Sequence, residues 1–165
     1  NISYLQKDGQ FGTRLLGGKD AANARYIFTK LSKITRLLFP KYDDNLLDYV
    51  YDEGERVEPK HYIPILPTIL INGCKAGIGT GWSTSIPCYN PKDLITFIKN
   101  HLHNKDTNIE LKPWYKGFTG TIKKVNKFSY ETHGIYEKKD NKIIITELPV
   151  MTWTDKYKEF LETLL

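Results

Sequence analysis

The sequence predicts an α+β fold. Apolar residues at Ile27, Leu31, Ile34 and Leu38 are spaced four, three and four, as on one face of a helix. A second helical set, Leu94, Ile95, Ile98 and Leu102, follows Asn90-Pro91. Between Phe118 and Glu147 the chain instead breaks into runs of strand character separated by turn residues.

Taken in order, Gly9 to Asp20 is glycine-dense and polar, without helical or strand period, and reads as a loop. An amphipathic helix is expected from Ile27, with Lys30, Lys33 and Arg36 off its apolar face, and Phe39-Pro40 ends it. A shorter helix is expected over residues 43–51, around Leu46, Leu47 and Val50. Pro59, Pro64 and Pro67 forbid regular helix through the following stretch, and Thr68 to Ile71 reads as a short buried strand or extended core segment. After a second glycine-rich loop at Gly77 to Trp82, Asn90 supplies an N-cap and Pro91 a first-turn proline for a helix to about Leu102. Residues 101–112 read as a polar connector. Strands are expected over 118–128, 130–136 and 142–147, with tight turns at Ser129 and at Asp140-Asn141. Thr152 and Asp155 have the spacing of a capping box, opening a last helix over 155–165. The change of texture near Val57 to Ile63 divides the chain into residues 1–58 and 59–165.

With 165 residues, 40% of them hydrophobic and 13% aromatic, the chain can bury a core, which excludes wholesale disorder. No apolar run approaches the roughly 18 residues of a membrane-spanning helix. The first residues carry neither an initiator Met nor an apolar signal core, so the chain reads as a piece of a longer protein. A net charge of +5 points to an anionic partner without identifying it. Arginine grips phosphate better than lysine does, so Arg14, Arg25, Arg36 and Arg56 are the cations to follow. Cys74 and Cys88 show no disulfide or metal-ligand spacing, as expected of idle thiols in a reducing compartment.

Two loops carry candidate chemistry. The first runs from Gly17-Gly18-Lys19-Asp20 to Arg25-Tyr26. A tyrosine at this place is either a half-buried packing residue or a nucleophile. Small residues from Ala21 to Ala24 leave room around the phenol, and Arg25 puts a fixed cation beside it. Bringing a phenol from a pKa of about 10 to neutrality needs roughly 4 kcal/mol of differential stabilisation. An arginine supplies part of that, and its stronger role is to hold a phosphate in a charged transition state. The second loop, Gly77-Ile78-Gly79-Thr80-Gly81-Trp82, lacks the Gly-Lys-Ser/Thr ending of a phosphate-binding Walker loop. It is either a tight structural turn or the mount for Ile78, an aliphatic wedge of the kind that kinks DNA from the minor groove.

These residues resemble the DNA breakage–reunion region of eukaryotic-type (type IIA) DNA topoisomerase II. The resemblance starts at Gly9-Gln10-Phe11-Gly12-Thr13-Arg14, Gly17-Gly18-Lys19-Asp20-Ala21-Ala22 and Ala24-Arg25-Tyr26-Ile27-Phe28-Thr29. It continues in the same order through Tyr62-Ile63-Pro64-Ile65-Leu66-Pro67, Ile71-Asn72-Gly73, the second glycine loop, Pro113 to Thr121 and Thr146-Glu147-Leu148-Pro149. It thins only near residues 101–112 and 122–142. Bacterial gyrase and topoisomerase IV resemble the chain more distantly.

The resemblance implies the C-terminal part of a winged-helix domain over residues 1–58, followed by the start of an α/β tower domain over 59–165. It places the family's nucleophilic tyrosine on Tyr26, the neighbouring arginine on Arg25 and the intercalating isoleucine on Ile78, flanked by Gly77 and Gly79. Lys19 falls where the family has a basic residue near the DNA backbone. It further implies an ATP- and Mg²⁺-dependent homodimer that acts on double-stranded DNA, in a nucleus or in the host cell of a large DNA virus. The family's Asp-x-Asp and Glu-Gly-Asp-Ser-Ala metal-binding elements do not occur in this sequence, nor does a recognisable nucleotide fold. Mg²⁺ and ATP are therefore expected on parts of the protein outside this chain, and the chain alone is expected to be inactive. Asp43-Asp44 and Asp52-Glu53 read as solvated charges. Cys74-Lys75-Ala76 places three residues where two are expected, which predicts a slightly different seating of Ile78. The competing readings are a non-catalytic DNA-binding and DNA-bending module, and an interface fragment whose tyrosine packs in a core.

Overall fold

Five strand pairs, four α-helices and two 3-10 helices make up the secondary structure of the described residues, 1–164, in a computed structural model. The chain divides into two compact units, residues 1–6 with 30–111 and residues 7–29 with 112–165. The proline-rich stretch near residues 57–63 lies inside the first of these. Strand β1 (Leu5–Asp8) pairs with β2 (Phe28–Leu31), and the residues of this ribbon belong to both units.

The expected helix from Ile27 is replaced by β2 and by the single turn α1 (Thr35–Leu38), the latter in the first unit. Phe28 and Thr29 are aromatic and β-branched and suit the strand paired with β1, while Ile27 N–H closes the preceding 3-10 turn onto Ala24 O. Side-chain hydroxyls take over next: Ser32 Oγ donates to Ser3 O at 2.9 Å and Thr35 Oγ1 donates to Tyr4 O at 2.5 Å. The helix does end at Phe39-Pro40, as expected.

The helix expected over 43–51 is likewise absent. Lys41–Leu46 forms a 3-10 helix, and β3 (Tyr49–Asp52) pairs with β4 (Glu55–Pro59). Their turn, Glu53-Gly54, has positive φ at both positions (48° and 89°), the geometry that matches the twist of a two-residue hairpin.

Thr68 to Ile71, expected to be extended, is the helix α2 (Thr68–Asn72). Here an apolar run too short for its period to be read was resolved as helix behind Pro67. Ile71 is fully buried, and Asn72 acts as a strand neighbour for the N-terminal segment. Its Oδ1 accepts from Ile2 N at 2.8 Å while its Nδ2 donates to Ile2 O at 2.9 Å. Gly73 (φ 68°) then turns the chain, and a Cβ there would sit 2.7 Å from Ile86 O. Strands β5 (Cys74–Gly79) and β6 (Trp82–Ile86) follow. Helix α3 (Pro91–Leu102) starts as expected, with Asn90 Oδ1 accepting from Lys92 N at 3.0 Å. Leu94 is its buried anchor, whereas Ile95 and Leu102, expected inward, are exposed.

The second unit is built on hairpins. Strand β7 (Thr121–Lys124) pairs with β8 (Tyr130–His133), and β9 (Ile135–Lys139) pairs with β10 (Lys142–Glu147). The expected turns at Ser129 and at Asp140-Asn141 are present, with Ser129 O accepting from Val125 N and Asp140 at φ 53°. The run 130–136, expected as one strand, is cut at Gly134, where a Cβ would fall 2.1 Å from Glu147 O. Only glycine allows that approach. The last helix, α4 (Thr154–Glu162), begins without a side-chain cap, so the capping box at Thr152 is not formed. The helix ends at Glu162, and Leu165 lies outside the described residues.

Ile71→Ala is expected to lower the unfolding free energy of the chain by about 2–4 kcal/mol, because its site is closed on every side. Leu102→Ala on the exposed end of α3 is expected to change it by no more than about 0.5 kcal/mol. Urea unfolding of the two variants checks the contrast.

Candidate nucleophile loop and nucleic-acid interface

In the second unit, the glycine-rich segment before Tyr26 is a pinned loop, not a flexible approach. Asp20 organises it: Oδ1 accepts from Thr13 N at 2.9 Å, and Oδ2 accepts from Thr13 Oγ1 at 2.8 Å and Gln10 Nε2 at 3.1 Å. The Thr13 bonds, the backbone one foremost, hold the Asp20 carboxyl below its ordinary value of 3.8 against the opposing effect of burial. The close packing of the loop requires Gly12, where a Cβ would lie 2.6 Å from Gly18 Cα. Gly17 faces the Trp153 indole, and a Cβ there would come within 2.5 Å of Nε1.

A second carboxylate holds the same loop from farther along the chain. Glu147, only 8% exposed, accepts from Arg14 Nη2 on Oε1 at 2.5 Å and from Thr119 Oγ1 on Oε2 at 3.0 Å. The Arg14 guanidinium, followed by the Thr119 donors, keeps its carboxyl below the ordinary 4.5 against the opposing effect of burial.

From this loop the chain passes through Ala22, whose N–H donates to Gln10 O at 2.9 Å, into the 3-10 turn Ala24–Tyr26. Lys19 and Arg25 are exposed, and Tyr26 is 63% exposed. The Arg25 guanidinium carbon lies 4.9 Å from the Tyr26 ring centroid, within cation–π range. The other three arginines are engaged elsewhere: Arg14 by Glu147, Arg36 by both carboxylate oxygens of Asp44, and Arg56 by the Tyr49 ring at 4.1 Å.

In the first unit, the second glycine loop is the tip of the β5–β6 hairpin. Gly77 pairs with Thr84, Ile78 with Ser83 and Gly79 with Trp82, and Thr80-Gly81 forms the turn with Gly81 at φ 78°. Cys74 pairs with Ile86, so β5 spends three residues where β6 spends two. This bulge takes up the additional residue of Cys74-Lys75-Ala76 below the tip. Beyond the bulge Ile78 and Gly79 are in regular register with Ser83 and Trp82. Cross-strand partners share a face, so Ile78 and Trp82 point to opposite faces of the ribbon, each 83% exposed.

Among the described residues no group of three or more His, Cys, Asp or Glu side chains is arranged to hold a metal ion. Asp44 is occupied by Arg36. The donor set of the described residues does not fit a Mg²⁺ centre.

The sequence profile of the DNA gyrase/topoisomerase IV A-subunit family matches residues 1–165. The chain belongs to this family. Among its eukaryotic relatives, DNA topoisomerase 2 of Plasmodium falciparum is 55% identical over 100% of the chain and 12% of that protein. DNA topoisomerase 2 of Arabidopsis thaliana is 53% identical over 99% of the chain and 11% of that protein. Human DNA topoisomerase 2-beta is 52% identical over 96% of the chain and 10% of that protein. The chain thus spans about a tenth of the length of these curated relatives. The crystal structure of the Plasmodium falciparum topoisomerase II DNA-binding, cleavage and re-ligation domain superposes with a TM-score of 0.89. It is 54% identical, and the match covers 100% of this chain and 22% of that one.

Against this type II topoisomerase background, sequence reasoning missed Asp20 and Glu147 as the residues that shape the first loop. The signal for Asp20 was present, since an acid among turn glycines is a ready acceptor for loop N–H groups. Glu147 had no comparable local signal, because its partner Arg14 is far away in sequence.

Both carboxyls have native pKa values below their unfolded ones. Their stabilisation is therefore complete above the ordinary carboxylate values and is lost as pH falls through the native ones. Acid titration of the folded chain is expected to show stability declining below about pH 4.5, with a shallower acid limb in Glu147→Gln.

Proposed function

We propose that this chain is the nucleophile-bearing part of an ATP-dependent type IIA DNA topoisomerase, which cleaves and rejoins both strands of one duplex to pass another through it. The observation that carries this reading is the exposed Tyr26 phenol beside the Arg25 guanidinium, on a loop held from both ends. In the proposed step Tyr26 Oη attacks a DNA phosphorus and gives up its proton to a base or solvent. The phosphorus–oxygen bond to the 3′ oxygen breaks, and that oxygen leaves as a hydroxyl. The 5′ end stays on the protein as a phosphotyrosyl ester. Resealing is the reverse displacement, with the phenolate as leaving group, so the bond energy is conserved in the ester.

Arg25 stabilises the charge that gathers on the phosphoryl oxygens. Lys19 contacts the DNA backbone by charge. Gly77 and Gly79 let the hairpin tip come close to the duplex, and Ile78 enters a base step as a wedge. Bending a site of this size costs on the order of 1–6 kcal/mol, and the inserted side chain and phosphate neutralisation offset it. Mg²⁺ and ATP act from other parts of a homodimeric protein, in a nucleus or in the host cell of a large DNA virus. The winged-helix assignment of residues 1–58 and the tower assignment of 59–165 belong to the same proposal, as does the inactivity of the chain alone.

In the full-length protein, Tyr26→Phe is expected to abolish both supercoil relaxation and the covalent protein–DNA product while duplex binding persists. Retained relaxation would overturn the nucleophile assignment, and a wild-type protein that binds and bends DNA without breaking it would favour the bending-module reading. Ile78→Ala is expected to weaken affinity for bent DNA about tenfold or more, from the lost apolar burial, and to leave the melting temperature unchanged. Fluorescence-based bending assays check it.

A further inference from the structure

We propose that Glu147 is a positioning residue for the nucleophile: acting through Arg14, it fixes the loop from which the Tyr26 turn departs. This rests on the reading of Tyr26 given above. Three consecutive parts of the loop are tied to the stretch that begins at Glu147. Arg14 Nη2 meets Glu147 Oε1 at 2.5 Å and reaches Leu148 O at 3.4 Å. Leu15 O accepts from Asp155 N at 3.1 Å, at the first turn of α4. Gly17 lies against the Trp153 ring. The carboxylate divides its two oxygens, Oε1 serving Arg14 and Oε2 serving Thr119, so its direction is fixed by the β10 backbone on one side and by Thr119 on the other.

The burial of the two partners shows which is the anchor. Glu147 is 8% exposed and Arg14 54%, so the acid belongs to the framework and the arginine is the arm that the framework holds. A carboxylate so sheltered needs its donors, and Arg14 is the charged one. Downstream, Thr13 is held by Asp20, Gly18 N donates to Thr13 O at 2.9 Å, and Ala22 N returns to Gln10 O. Directional bonds thus hold the loop from Thr13, the neighbour of Arg14, to Ala22, two residues before the 3-10 turn at Ala24–Tyr26. A displacement of about 1 Å at a reacting group costs on the order of 100-fold in rate, so loosening the bond from Arg14 to Glu147 should be felt at the phenol.

The test uses the full-length protein and a duplex oligonucleotide, with single-turnover formation of the covalent product measured beside duplex affinity and melting temperature. Arg14→Lys removes the fork from the exposed side of the bond, and Glu147→Gln removes the charge while keeping the shape. Each is expected to slow covalent-product formation about 10- to 100-fold with duplex affinity unchanged. The double variant is expected to be no slower than the slower single one, because both act on one bond. Unchanged rates in Arg14→Lys, a rate loss matched by an equal loss of affinity, or additive losses in the double variant would each overturn the proposal. If Glu147→Gln fails to fold, Arg14→Lys alone decides it. Tyr26→Phe run in parallel separates the two claims: activity in that variant defeats the nucleophile reading, whereas an inactive Tyr26→Phe beside a fully active Arg14→Lys defeats only the positioning role.

Discussion

A carboxylate that is nearly closed off from water must keep its donors, and the loop ahead of Tyr26 is shaped by that requirement at Glu147. Its partner Arg14 is 133 positions earlier in the chain, so the contact exists only once β10 and its turn into residues 148–155 have formed. Asp20 performs the local version of the same task within the loop, accepting from Gln10 and from both donors of Thr13. One acid sets the internal shape of the loop and the other sets where it is held. The glycines follow from these two constraints. Gly12 and Gly17 stand where any side chain would collide with Gly18 or with the Trp153 ring.

The hairpin carrying Ile78 meets a different constraint. An exposed apolar side chain at a tip is only useful if the strands below it keep their register, since a one-residue slip turns every side chain to the other face. The bulge between Cys74 and Gly77 absorbs the additional residue before the tip is reached. Gly77 pairs opposite Thr84, with no room for a Cβ beside Thr84 Cγ2. The register at the tip is thereby insulated from the length of the approach.

Legibility in the sequence followed the range of the interaction that decides each element. The Asn90 cap, the Phe39-Pro40 stop and the Asp140-Asn141 turn depend on neighbours within a few residues, and all were readable. The four-three-four spacing from Ile27 misled, because strand pairing with β1 and hydroxyl bonds from Ser32 and Thr35 outweighed it. The Glu53-Gly54 hairpin was missed although its turn residues were in view; the apolar residues around it fit a short helix equally well. At the candidate site, Tyr26, Arg25 and Ile78 stood out by residue type and setting. Glu147 did not, because nothing local marks an acid whose partner is an arginine in a distant loop.

The balance of apolar and polar contacts explains why hydrogen bonds carry so much of this arrangement. Among the described residues Leu38, Ile71 and Leu94 are the buried large hydrophobic side chains, and all three belong to the first unit. In the second unit, which holds Tyr26, Pro113 and Glu147 are the buried residues among the described ones, and the loop is held by Glu147, Asp20 and tight glycine contacts. Apolar burial is non-directional and tolerates sliding, whereas a carboxylate with assigned donors on each oxygen fixes both distance and angle. For a loop whose proposed task is to aim one phenolic oxygen at a phosphorus, directional bonds are the better restraint. They also leave the loop more sensitive to acid than a packed core would be, because their strength depends on the charge of two side chains.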